Sequence, residues 1–144
     1  SSTFWSERIG FSAGIATISY MKKNKTWEKL INSGKYLNSK WREISNKYEL
    51  SIEISGIEAI TQFRFDYKNN HYLKNFLTQE MLKKNILATN LVFLNIFHTK
   101  SIIDKYISEL DKIFLKIKDI QSKKNKKYFL LGKKSLTSFT RMTD

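Results

Sequence analysis

The apolar residues of this chain change their period along its length, and that change limits the fold more than any other feature. Trp27, Leu30, Ile31, Leu37, Trp41, Ile44 and Tyr48 recur at spacings of three and four, the repeat of one helix face. Leu50, Ile52 and Ile54 then alternate with Ser51, Glu53 and Ser55, and beyond Gly56 the pair Phe63 and Phe65 alternates with Gln62, Arg64 and Asp66. Alternation belongs to half-buried strands. A long amphipathic helix, interrupted at Gly34, is therefore expected to lead into two short strands joined by a turn or bulge. The helical period returns in Tyr72, Leu73, Phe76, Leu77, Met81 and Leu82, in a helix that ends near Asn85. It returns again from Ile102 to Ile117, behind Thr99 as a cap. Between these helices "ILATNLVFLNIF" is short and strongly apolar, as expected for a strand or two buried against helices.

The first helix is read from Glu7, capped by Ser6 or a neighbour, with Ile9, Phe11, Ile15, Ile18 and Met21 interleaved with Gly10, Ala13, Gly14 and Ala16. Small residues suit it to close packing against another backbone. "KKNK" turns the chain, and Thr26 is placed to cap the next helix. The expected order is helix, helix, strand, strand, helix, strand, helix. That pattern predicts an α+β fold, a small and mostly antiparallel sheet covered by helices.

A chain of 144 residues with 41% hydrophobic content can bury a core of its own. No stretch approaches the roughly 20 apolar residues of a membrane span, and no signal segment opens the chain. The absence of cysteine excludes disulfides, thiolate metal sites and cysteine nucleophiles and fits a reducing compartment, so cytoplasm is the expected location. The net charge of +13 points toward nucleic acid until its position is considered. Seven Lys or Arg lie between Gln121 and Asp144 against Asp144 alone, so this segment carries +6 of the +13. Lysines on a tail give salt-sensitive, nonspecific attraction to phosphates. A basic nucleic-acid-binding module is therefore the alternative reading, and a noncatalytic dimerisation remnant a second.

Catalytic groups are few. His71 and His98 are the only imidazoles, they lie in different segments, and no metal site is expected. His98, at the junction of an apolar segment and a helix cap, is read as ordering that junction by hydrogen bonding; His71 is read as solvated. Trp27 and Trp41 are expected in the core because they share one stripe with Leu30 and Leu37. Arg64, outward between two phenylalanines, either forms a surface salt bridge or presents a fork to a carboxylate. Ser2 and Thr3 offer hydroxyl and backbone N–H groups just before a helix N-terminus, an arrangement able to hold a phosphate.

Taken in order, "STFWSERIGFSAGIATI", "EMLKKNILATNLVFLNIFHT" and "IIDKYISELDKIF" resemble the C-terminal part of a class III, fold-type I pyridoxal-phosphate (PLP) aminotransferase. The likeness is greatest to glutamate-1-semialdehyde aminomutase and its aminotransferase relatives, and it covers residues 1–120. The resemblance implies a dimeric enzyme whose larger, preceding domain carries the cofactor on a lysine. Thr3 matches the threonine that reaches across the dimer to the partner's cofactor phosphate, with Ser2 beside it. No Lys here matches the cofactor lysine, so the chain alone is expected to hold no catalytic residue and to be inactive. "SER" in "FWSERIG" replaces the usual Gly-Asn-Pro, and "ATN" replaces a proline-containing turn. Mutase activity therefore does not follow, and a transaminase acting on another amino acid or an oxo-sugar fits equally well. Trp5, Glu7 and Arg8 are the candidates for shaping that specificity. Residues 121–144 lie beyond the resemblance and are read as a basic, disordered tail or as the product of a frameshifted or truncated reading frame.

Overall fold

The computed structural model describes residues 4–122 and 130. The apolar periods resolve into α1 (Arg8–Asn24), α2 (Thr26–Lys47), β1 (Ile52–Ile57), β2 (Ile60–Phe65), α3 (Asn70–Leu82), β3 (Leu91–Phe93) and α4 (Lys100–Ser122). The fold is α+β. Its sheet is antiparallel in the order β1-β2-β3, with Ile54 opposite Phe63 and Thr61 opposite Val92. Alternation along β2 places Thr61, Phe63 and Phe65 inward and Gln62 and Arg64 outward, as a period of two requires.

The centre of the core is aromatic. Trp41 of α2, Phe63 and Phe65 of β2 and Phe114 of α4 pack edge-on or tilted, with ring centroids 4.8–5.8 Å apart, the arrangement ring quadrupoles favour. Leu73, Leu77 and Met81 of α3 and Leu110, Ile113 and Ile117 of α4 complete it. Around its rim Lys47–Asp111 at 2.9 Å ties α2 to α4 and Lys116–Glu80 ties α4 to α3, while Lys118 reaches Glu49 just after α2 at 3.0 Å and Lys83 pairs locally with Glu80.

Gly34 does not interrupt α2. A Cβ at that position would lie 2.0 Å from the Glu58 carbonyl oxygen, so glycine lets the β1–β2 turn cross the helix in contact with it. Gly56, at φ +95°, takes a conformation that side chains disfavour.

Several expectations are corrected. Trp41 is fully buried but Trp27 is 43% exposed, although Thr26 beside it is buried and Leu30 on the same stripe packs against the core. Thr26 is the first residue of α2 rather than its cap. Lys25, in the left-handed region, precedes it, and the Thr26 hydroxyl is buried without a partner. α1 begins at Arg8 after Glu7, with no side-chain cap. The apolar run 86–97 yields only the three-residue β3, and Leu87, Phe93 and Phe97 are exposed. Among the described residues β3 pairs with β2 alone, so it is an edge strand there, and Phe93 on it is exposed. Thr99 does cap α4, its oxygen accepting from the Ile102 N–H at 3.4 Å. α4 runs on to Ser122, with Ile120 buried, and Leu130 packs against the core.

Candidate functional site

Ser2 and Thr3 lie outside the described residues. The described segment that follows them, Phe4 to Glu7, makes one turn closed by the Glu7 N–H donating to the Phe4 carbonyl at 3.3 Å. Glu7 then takes an extended conformation and α1 starts with neither a side-chain cap nor an acidic residue in its first turn. The first N–H groups of such a helix have no intrahelical partner, and its dipole favours an anion. Free N–H groups of this kind suit an anionic group such as a phosphate. Trp5, Glu7 and Arg8 are exposed at the same end.

α1 itself is unlike the other helices because none of its residues is buried. Ile9, Phe11, Ile15 and Ile18 are each more than half exposed. An amphipathic stripe left in water over this length is the mark of a surface made for another body.

Among the described residues, three cavities hold the remaining chemistry. One, about 380 Å³ between α2 and α4, is lined by Glu43, Asp104 and Asp111 among others. Each of these carboxylates is already paired, with Lys40, Lys100 and Lys47 respectively. Hydrogen bonds from Lys100 and then Tyr36 hold the Asp104 carboxyl below the ordinary range, so it is a poor proton acceptor. The second cavity, about 230 Å³, is apolar apart from His98 and Tyr106. His98 Nδ1 accepts from the Asn95 N–H at 3.2 Å, which is the ordering role expected of it. The Tyr106 hydroxyl and Trp41 Nε1 are buried, and neither reaches hydrogen-bond geometry with another group. Burial raises the Tyr106 pKa, against a weaker opposite pull from the Trp41 N–H.

The third cavity, about 240 Å³ between β2 and the start of α3, brings Arg64, His71 and Lys74 together with Asn70 and Asn90. Arg64 forms the expected surface bridge, Nη2 donating to Glu53 Oε2 at 2.8 Å, and His71 is exposed as expected. Sequence reasoning singled out Arg64 and His71 separately and missed Lys74 and Asn90. Only the register that sets Asn90 beside Phe63, with its side chain donating to the Phe63 carbonyl at 2.7 Å, joins these segments. Among the described residues no cluster of His, Asp or Glu could hold a metal ion, and no helix is long and apolar enough to cross a membrane.

No protein-family profile matches the chain, and no curated protein matches it. Among solved structures it is similar to the FumI protein of Sphingopyxis sp. MTA144 in its PLP internal aldimine form, with 21% identity and a TM-score of 0.66. The match covers 76% of this chain and 27% of that one. The two share a fold over this region, and the chain spans about a quarter of the length of the structure it matches.

Proposed function

We propose that this chain is the C-terminal portion of a PLP-dependent aminotransferase or aminomutase, of the kind related to glutamate-1-semialdehyde aminomutase. The observation that carries this reading is the fold it shares with one quarter of a PLP-bearing protein. The unburied apolar face of α1 supports it, since a covering domain with a partner body to pack on would leave such a face on its own. In this reading the chain ends an enzyme whose preceding domain carries the cofactor lysine, and two such enzymes form a homodimer. Residues 1–120 form the covering domain and 121–144 a basic extension.

PLP, when bound, supplies the electron sink for amino transfer. This chain supplies position. Ser2 and Thr3 hold the phosphate by charge-assisted hydrogen bonds, together with the uncapped N–H groups of α1. Trp5, Glu7 and Arg8 at the same end contact the substrate, a small oxo compound or an oxo-sugar. Nothing in this portion takes the reacting proton; that role falls to the preceding domain.

The test is Thr3→Ala in the full gene product. Loss of one charged hydrogen bond of about 1.5–3 kcal/mol weakens PLP retention on dialysis by about ten-fold or more. Unchanged retention removes Thr3 from the cofactor site.

A further inference from the structure

We propose that the cleft between β2 and the start of α3 binds a small anionic ligand through a phosphate or carboxylate group. This does not depend on the cofactor reading, because the cleft is built from other residues than Ser2, Thr3 and the start of α1. Its volume of about 240 Å³ lies just below the roughly 300–1,000 Å³ of drug-sized sites, so its ligand is small. Arg64 enters from β2, and His71 and Lys74 enter one turn apart on α3, the spacing that places two side chains on one helix face. Asn70 and Asn90 add amide donors, and no carboxylate lines the cleft.

The donors are available. His71 and Lys74 have no ion-pair partner among the described residues. Glu53 takes a single N–H of Arg64, with both side chains more than 60% exposed. A surface pair of that kind is weak, and a guanidinium keeps its other donors of five for a second acceptor. The buried Phe63 and Phe65 on the same strand fix the backbone that carries Arg64. The site thus combines a planar fork, a mobile point charge and neutral amides, the complement of an oxyanion.

The test is a titration of the full gene product with inorganic phosphate, and separately with succinate, at constant ionic strength. Saturable one-to-one binding is expected, weakened about ten-fold or more by Arg64→Gln and by Lys74→Gln. Lys29→Gln and Lys105→Gln remove the same charge outside the cleft and should change it less than two-fold. Tighter binding of phosphate identifies a phosphate ligand, and tighter binding of succinate a carboxylate one. In the unsubstituted protein the bound anion shifts the ring resonances of His71, assigned with His71→Gln. Equal weakening by all four lysine and arginine variants would mean general attraction to a basic surface and would overturn the proposal. So would phosphate binding that survives the cleft variants and is lost in Thr3→Ala, which would belong to the start of α1.

Discussion

Trp41 and Trp27 lie on one helix yet contribute differently to stability. Trp41 is fully buried against Phe63, and its truncation to Ala removes the centre of the aromatic cluster, for an expected loss of about 3–5 kcal/mol in urea unfolding. Trp27→Ala, at an exposed position, should cost about 1 kcal/mol or less. Gly34→Ala is the sharper residue test. Its new methyl group would meet the Glu58 carbonyl, and overpacking against backbone costs about 1–3 kcal/mol or more, whereas an exposed helical glycine would gain stability from the same change. The stripe was legible in the sequence for both tryptophans. What separates them is that Trp41 meets Phe63 of β2 and Trp27 does not reach the aromatic cluster, which depends on where the chain returns. Gly34 likewise read as a break because its reason is a turn distant in sequence.

At the scale of elements, α3 and α4 are fastened through Glu80, which accepts from both Lys83 and Lys116. Burial alone pushes this carboxyl up; the hydrogen bonds from Lys116 and Lys83 outweigh it and leave the pKa below the usual 4.5. A depressed carboxyl stabilises the fold above its unfolded value and loses that contribution as pH falls through its folded value. Stability should therefore be held above about pH 4.5 and decline below it. Glu80→Gln should cost about 1–3 kcal/mol at neutral pH and flatten that decline; an unchanged acid limb would place the sensitivity elsewhere. α1 gives the opposite expectation. Because none of its residues is buried, Ile15→Lys should leave the unfolding of this chain unchanged while weakening assembly of the full gene product, read as native mass. The element order was legible because each helix and strand carries its own period. β3 was expected, but its exposure was not legible, since an apolar run of that length fits a buried strand or an uncovered edge.

For the whole molecule, charge and hydrophobicity point in different directions, and position decides between them. Much of the +13 sits beyond Ile120, whereas the apolar face of α1 is concentrated at the other end of the chain. The cleft between β2 and α3 was the least legible feature, because Arg64, Lys74 and Asn90 share no motif and meet through the packing of α3 beside β2 and the Asn90–Phe63 hydrogen bond. The chain shares its fold with part of a larger protein, and the function proposed for it is one that a bound cofactor would itself report. The direct measurement is the visible absorption of the full gene product, purified from its source, before and after borohydride. The account predicts a cofactor band that reduction abolishes, with the label recovered on a lysine outside this chain. A colourless protein that takes up no PLP on reconstitution would contradict it.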